Sequence, residues 1–325
     1  MSSLPTIRDV EAAAERLAGL AIVTPLIEHP ALNEAVGGRV LLKAENLQRV
    51  GAFKFRGAYN AIAQVDRAAY PGGVVACSSG NHAQGVAHAA SLLGLASVVV
   101  MPADSPKLKI ARTRAFGAEV VLYDRNTEDR EAIARRICAE RRAAFVHPFD
   151  DPAVIAGQGT AGLELMRQAK ALGAVPEAVA VCCSGGGFAS GVAIAVKAVA
   201  PAAEIFTVEP AGFDDMARSL VSGRRETNAR ASGSICDALM SASPGVHTLR
   251  ILASAGTRGL VVSDDEAREA MRFAFREMKL VLEPGGAVAL AAVLGGHLPA
   301  RGRTVAAVLS GGNVDPAQFA EIITA

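Results

Sequence analysis

A regular alternation of short apolar segments with helical patterns constrains the fold of this chain more than any other feature. Strands are predicted at residues 40–43, 74–77, 97–101, 119–123, 178–182, 204–208, 259–262 and 303–309. Most of them are followed by apolar residues at helical spacing, for example at residues 81–93, 106–116 and 128–142. Strands that alternate with helices form parallel sheets with right-handed crossovers. The sequence therefore predicts an α/β protein with two open, twisted, mostly parallel sheets flanked by helices.

The predicted elements divide the chain into two domains. Residues 73–150 form a compact βαβαβα unit, and Pro148-Phe149-Asp150-Asp151-Pro152 marks its end. This small domain is inserted in a large domain made of residues 1–72 and 151–325. An irregular region is predicted at residues 212–245. Ligands of such sheets bind where the carboxyl ends of the strands gather their loops.

Composition excludes several functions. Lys+Arg number 33 and Asp+Glu 32, so a formal net charge of +1 does not favour nucleic acid or a membrane surface as a partner. The five cysteines are odd in number and show no CxxC spacing, which favours a reducing compartment. The N-terminus lacks the apolar stretch of a signal peptide, and no apolar run is long enough to cross a membrane. A cytoplasmic protein is expected.

Lys54 is the first candidate for chemistry. It lies between Phe53 and Phe55, just before the helical pattern that begins Arg56-Gly57-Ala58. Desolvation and the positive end of a helix dipole both lower the pKa of a lysine. A neutral lysine is a nucleophile that forms Schiff bases with carbonyl groups. A lysine whose stem packs on an amphipathic helix, with its ammonium in water, is the structural alternative.

Polar turns follow several of the predicted strands. Ser78-Ser79-Gly80-Asn81-His82 precedes a helix, where free N–H groups could hold a carboxylate or where Ser or Asn could simply cap the helix. Ser184-Gly185-Gly186-Gly187-Phe188 allows the backbone to wrap a phosphate. A dinucleotide site is its rival, weakened because Ser190 stands where GxGxxG needs a glycine, although Glu209 could bind a ribose. Ser310 interrupts an apolar strand at its tip.

Together these stretches resemble the fold-type-II pyridoxal-phosphate enzymes, which have the tryptophan synthase β-like fold, and in particular the threonine/serine dehydratase and serine racemase family. The resemblance runs in order through KAENLQRVGAFKFRGA, SSGNHAQG, HPFDDPAVIAGQGT, CSGGGFASG, VEPAGFDD, LEPGGAVA and LSGGNVD. It implies that the large domain binds pyridoxal 5′-phosphate and that the small domain binds the substrate carboxylate. It also implies a homodimer or homotetramer with a small amino acid as its ligand.

The resemblance assigns roles to the matching residues. Lys54 would hold the cofactor as a Schiff base and then act as the base on Cα–H, and Ser79 matches the residue that protonates the opposite face in racemases. Asn81 would contact the ring hydroxyl and Ser310 the ring nitrogen. The remaining cofactor contacts would come from Phe53, Ser184, Gly185, Gly186, Gly187, Phe188, Gly233 and Glu283. The substrate would lie against Ser78, Ser79, Gly80, Asn81 and His82.

A second site is implied by the resemblance of VEPAGFDD to a cation-binding segment of the racemases. It would consist of Glu209, the carbonyl of Phe213, and Asp215. Two carboxylates and a carbonyl suit a hard cation such as Mg²⁺ or Ca²⁺. A loop whose acidic residues only cap a helix is the alternative.

The implied activity is α,β-elimination of the hydroxyl from L-threonine or L-serine, which yields 2-oxobutyrate or pyruvate and ammonia. Serine racemisation stays open on the same scaffold. So does dehydration of 3-hydroxyaspartate, because YDRNTEDR at residues 123–130 is similar to the segment found in 3-hydroxyaspartate dehydratases. From other classes, a nicotinamide-dependent oxidoreductase and a ligand-binding regulatory protein are the alternatives.

Overall fold

The computed structural model describes residues 3–78, 80–105, 107–124 and 127–325, and it describes residue 108 by its backbone alone. The strands are β1 (Leu26–Glu28), β2 (Arg39–Ala44), β3 (Val74–Cys77), β4 (Ser97–Pro102), β5 (Glu119–Tyr123), β6 (Ala144–Phe145), β7 (Ala178–Cys182), β8 (Glu204–Pro210), β9 (Arg258–Val262) and β10 (Thr304–Leu309). The helices are α1 (Ile7–Leu17), α2 (Pro30–Val36), α3 (Lys54–Ile62), α4 (Asn81–Leu92), α5 (Lys107–Ala115), α6 (Arg130–Arg141), α7 (Pro152–Ala171), α8 (Gly187–Val199), α9 (Asp215–Ser222), α10 (Val246–Ser254), α11 (Asp264–Met278), α12 (Pro284–Leu294) and α13 (Pro316–Thr324).

The strands form two sheets. The larger has the order β1-β2-β10-β7-β8-β9 and the smaller the order β5-β4-β3-β6. β1 runs antiparallel to β2, and the other strand pairs are parallel. The predicted α/β class with two mostly parallel sheets is confirmed. The strands of the smaller sheet all lie between residues 74 and 145, whereas the proposed domain boundaries stay a prediction.

The central strands are buried along their whole length. β7, with the sequence AVAVC, has every residue buried, and β10 is buried from its second residue onward. Helices that cover both faces of a parallel sheet explain why these strands are continuously apolar rather than alternating. Their carboxyl ends carry Cys183-Ser184 and Ser310, so both polar turns open at the same edge of the sheet.

α3 is held against the larger sheet by close packing and by buried charges. A Cβ on Gly157 of α7 would lie 2.6 Å from the carbonyl oxygen of Arg56, so glycine lets the two helices approach. The fully buried Arg56 side chain pairs with Glu45 and with Glu164, with N–O distances of 2.7 Å in each pair. Lys43 Nζ lies 2.7 Å from the same Glu164. These contacts fix the first turns of α3, where Lys54 stands.

The structure corrects the sequence prediction in several places. The predicted irregular region, residues 212–245, contains α9, a helix with one apolar face that is too short for its periodicity to stand out. β1, α2 and β6 were not predicted, because strands of two or three residues carry little pattern of their own. No helix in the described ranges is both long and apolar enough to cross a membrane.

Candidate active site

A cavity of about 230 Å³ opens where the carboxyl ends of β3, β7 and β10 meet the start of α3. Most of the predicted site residues line it: Phe53, Lys54, Ser78, Gly80, Asn81, His82, Ser184, Gly185, Gly186, Gly187, Phe188, Glu283 and Ser310. Gly233 is exposed and is not among the described lining residues. Ser79, predicted as a catalytic and substrate-binding residue, lies outside the described residues.

Lys54 is the first residue of α3 and is partly buried. Its Nζ donates to the carbonyl oxygen of Pro148 at 2.8 Å and lies 5.2 Å from the centroid of the Phe53 ring. Burial lowers the pKa of Lys54 to about 8. Phe55 does not share this environment, because its ring packs instead on those of Tyr59 and His88. The sequence expectation that two phenyl rings flank Lys54 is therefore correct for Phe53 alone.

The glycine loop between β7 and α8 is needed for packing as well as for exposed amides. A Cβ on Gly185 would lie 2.4 Å from the Phe149 ring, and one on Gly187 would lie 2.5 Å from the Phe149 carbonyl oxygen. Gly186 has a φ of 95°, which side chains rarely adopt. The first N–H groups of α8 have no partner within the helix and carry the positive end of its dipole. The loop therefore presents a site for a dianion.

The other side of the cavity contains a chain of polar groups. Asn81 Nδ2 donates to Glu283 Oε1 at 2.6 Å. Burial raises the pKa of Glu283 to about 7, although the bond from Asn81 opposes this shift. Ser310 is buried at the end of β10, and its carbonyl oxygen accepts from the N–H of Phe53 at 3.2 Å. This bond ties the tip of β10 to the residue before Lys54.

His82 lies in the cavity as a neutral ring. Burial lowers its pKa to about 3, and its Nε2 lies 3.1 Å from the carbonyl oxygen of Val146. A carbonyl oxygen only accepts, so Nε2 carries the proton and Nδ1 is left as an acceptor. Nδ1 is buried and has no hydrogen-bond partner in the described part of the chain. This arrangement suits an N–H or O–H donor rather than the substrate carboxylate assigned to His82 by resemblance.

Sequence reasoning missed two cations of the cavity. Lys109, on α5, and Arg130, at the start of α6, both line it. Lys109 Nζ pairs with Asp237 Oδ2 at 2.9 Å. Arg130 is exposed, and no ion pair joins its guanidinium to a carboxylate among the described residues. The signal was present in YDRNTEDR, which ends in Arg130, but spacing alone could not show which side of α6 faces the cavity.

The predicted cation site lies at the start of α9. Glu209 is fully buried, and its two carboxylate oxygens accept from the N–H groups of Met216 (3.1 Å) and Ala217 (2.8 Å). Asp215 Oδ1 accepts from Asn228 at 2.6 Å, while Oδ2 is buried without a partner among the described residues. Burial raises the pKa of Asp215 to about 6 and, together with the Asp215 charge, holds the pKa of Glu209 well above its ordinary range.

Comparison with known proteins decides between the alternatives. A family model described as pyridoxal-phosphate dependent enzyme matches residues 17–311. The chain belongs to this family. The prediction of a fold-type-II pyridoxal-phosphate enzyme of the carbon–oxygen lyase type is confirmed, and it replaces the oxidoreductase and the regulatory protein as interpretations.

Individual relatives of this enzyme differ in the activity in their names. The chain is 42% identical to an L-threo-3-hydroxyaspartate ammonia-lyase of Pseudomonas sp, over 98% of this chain and 99% of that protein. It is 36% identical to a serine racemase of Schizosaccharomyces pombe, over 99% and 98% of the two chains. The crystal structure of a threonine deaminase from T.th. is 46% identical, with a TM-score of 0.90 over 96% of this chain and 99% of that chain.

The residues of the cavity fit pyridoxal 5′-phosphate. Lys54 supplies an amine whose pKa is low enough for Schiff-base formation near neutral pH. The bare N–H groups at the start of α8 suit the phosphate dianion. Asn81 and Ser310 place polar side-chain groups in the same cavity, where the polar edge of the ring would lie. The enzyme's own side chains thus supply a partner for each polar part of the cofactor.

Proposed function

We propose that this enzyme is an ammonia-lyase whose preferred substrate is a β-hydroxy amino acid with an acidic side chain, L-threo-3-hydroxyaspartate. The reaction removes the Cα proton and the β-hydroxyl, and water then releases ammonia and leaves oxaloacetate. L-Threonine and L-serine would be slower substrates of the same site. The observation that carries this choice is Arg130, which lies in the wall of the cavity and is unpaired among the described residues.

The bound cofactor would acidify the Cα–H bond of an attached amino acid. Lys54 is the residue that takes this proton, because its Nζ lies in the cavity and its lowered pKa leaves part of the amine neutral near pH 7. The stacked rings of Phe53 and Phe188, whose centroids are 3.9 Å apart, form an apolar wall that limits water at this amine. The hydroxyl of Ser310 is neutral, so it does not force a proton onto the ring nitrogen as a carboxylate would.

Charge in the cavity supports an acidic substrate. Asp237 neutralises Lys109, whereas Arg130 keeps a guanidinium without a partner in the described part of the wall. A second carboxylate on the substrate would form a charge-assisted, bidentate contact with this group. Neither the methyl group of threonine nor the hydrogen of serine offers such a contact. The similarity to a 3-hydroxyaspartate ammonia-lyase over nearly the full chain supports the same choice.

The experiment is a comparison of kcat/KM for L-threo-3-hydroxyaspartate, L-threonine and L-serine, followed as 2-oxo acid and ammonia. We expect Arg130→Gln to lower kcat/KM for hydroxyaspartate by about 10- to 100-fold, the value of a hydrogen bond to a charged group, and to leave threonine nearly unchanged. Arg135→Gln, on the exposed side of the same helix, is the matched control. A wild-type preference for threonine, or an equal loss for both substrates in Arg130→Gln, would instead indicate a threonine/serine lyase. D-Serine formed from L-serine would indicate a racemase.

A divalent cation at Glu209, Phe213 and Asp215 is a second part of the proposal. The Asp215 Oδ2 atom, buried and unpartnered among the described residues, supports it, as does the raised pKa of both carboxylates, since a hard cation would offset two buried charges. Homo-oligomeric assembly, a cytoplasmic location and the division into a small and a large domain stay predictions.

A further inference from the structure

Asn313 lies in the turn after β10 and joins two parts of the active site. Its Nδ2 donates to the carbonyl oxygen of Val50 at 2.6 Å and to Oδ1 of Asn81 at 2.8 Å. Its Oδ1 accepts from Nη1 of Arg112 on α5 at 3.3 Å. Asn313 itself is not among the described residues that line the cavity. Any effect it has on the cofactor therefore passes through its neighbours.

These contacts fix which way two side-chain amides point. The Val50 carbonyl oxygen only accepts and the Arg112 guanidinium only donates, so Asn313 has one consistent orientation. Its Nδ2 then requires an acceptor from Asn81, which places Asn81 Oδ1 on the Asn313 side. The Asn81 NH₂ group is left facing Glu283 Oε1, within the lining of the cavity. Asn81 therefore presents a donor, not an acceptor, to a bound molecule.

The same residue holds the segment that leads to Lys54. Val50 has a φ of 57°, a left-handed conformation that is unfavourable for a β-branched side chain. Its carbonyl oxygen is the one bound by Asn313 at 2.6 Å. Gly51 follows with a φ of 71°, and a Cβ there would lie 2.8 Å from Asn313 Oδ1. The turn and Asn313 thus fit each other closely three residues before Lys54.

We propose that Asn313 is a positioning residue that makes Asn81 a hydrogen-bond donor to the phenolic oxygen of the cofactor. The inference rests on the proposed function, in which Asn81 contacts that oxygen. A donor stabilises the anionic form of the oxygen, whereas an acceptor stabilises its hydroxyl form. In the lysine-bound cofactor the anionic form absorbs in the visible range and the hydroxyl form in the near ultraviolet. The absorbance spectrum therefore reports the orientation of Asn81.

The test is the spectrum of the cofactor-loaded Asn313→Asp enzyme. Aspartate keeps the shape but has no donor for Asn81, which is then free to turn its carbonyl oxygen toward the cofactor. We expect the ratio of near-ultraviolet to visible absorbance to rise about tenfold, the value of one hydrogen bond to a charged group. Asn81→Asp should give a similar rise, and the double variant should add little to either. Asn313→Ser, which introduces no charge, should change the ratio in the same direction.

Asn46→Asp is the matched control. Asn46 is buried near the same turn, and its Nδ2 donates to the carbonyl oxygen of Val281 at 3.2 Å, with no bond to Asn81. It should lose stability and keep the wild-type spectrum. Wild-type spectra in both Asn313 variants, or full additivity with Asn81→Asp, would overturn the positioning role. A wild-type enzyme without a visible band, or without ammonia release from any of the three amino acids, would instead refute the proposed function.

Discussion

The buried ion pairs beneath Lys54 yield a prediction that can be tested against a pair of the same geometry on the surface. Arg56 binds Glu45 through Nε and Nη2, at 2.7 and 2.8 Å, and both side chains are fully buried. Arg39 binds Glu28 through the same two nitrogens at 2.9 Å, but these side chains are 37% and 30% exposed. The perturbation is replacement of either arginine by methionine.

The expected magnitudes differ because burial differs. The cluster of Lys43, Arg56, Glu45 and Glu164 contains two cations and two carboxylates, so it is neutral. Arg56→Met leaves it with one uncompensated negative charge, and breaking a buried pair in this way costs about 3–5 kcal/mol of unfolding free energy. In Arg39→Met the freed Glu28 is hydrated, so the loss should be at most about 1 kcal/mol.

Denaturant unfolding of the cofactor-loaded enzyme, followed by circular dichroism, measures both losses. Adding Glu45→Gln to Arg56→Met restores neutrality, so the double variant should be more stable than Arg56→Met alone. Equal losses for Arg56→Met and Arg39→Met would refute the reasoning. So would a double variant that is less stable than the single one, since the lone buried charge would then not be the cause.

Two further predictions concern pH. At about pH 7 a pKa of about 8 leaves about a tenth of Lys54 as free amine, so cofactor uptake by the cofactor-free enzyme should rise about tenfold up to a little above pH 8 and then level off; a rate that keeps rising to about pH 10 would contradict the lowered pKa. Asp215 has a raised pKa, so its penalty on stability is absent below the ordinary pKa of 3.8 and develops as pH rises through about 6. Mg²⁺ or Ca²⁺ should therefore raise the melting temperature more at about pH 7.5 than at about pH 5, and not at all in Asp215→Asn; a shift independent of pH would argue against the site.

Local patterns were sufficient for most of the site. The glycine loop, the Ser/Gly/Asn turn and Ser310 each interrupt an apolar strand at its end, and parallel topology brings such ends together. Lys54 was recognisable because it stands among apolar residues at a helix start. Gly233 was placed by resemblance alone, and the structure leaves it exposed and away from the described lining of the cavity.

Contacts between residues distant in sequence were out of reach of such patterns. Lys109 and Asp237 meet across the cavity, and Asn313 reaches both Val50 and Asn81. The tautomer of His82 depends on the carbonyl oxygen of Val146. Each of these follows from the path of the backbone in three dimensions, so no periodicity in the chain signals it.

The sequence by itself determined the class of fold, the cofactor and the lysine that would bind it, because alternating strands, helix starts and glycine turns are encoded by neighbouring residues. Tertiary structure alone decided which cations face the substrate, which amides donate, and how far the pKa of each buried group moves. Those properties depend on burial and on partners brought together by folding. For that reason the family could be recognised from the linear chain, whereas the preference for an acidic substrate depends on where Arg130 lies in the folded molecule.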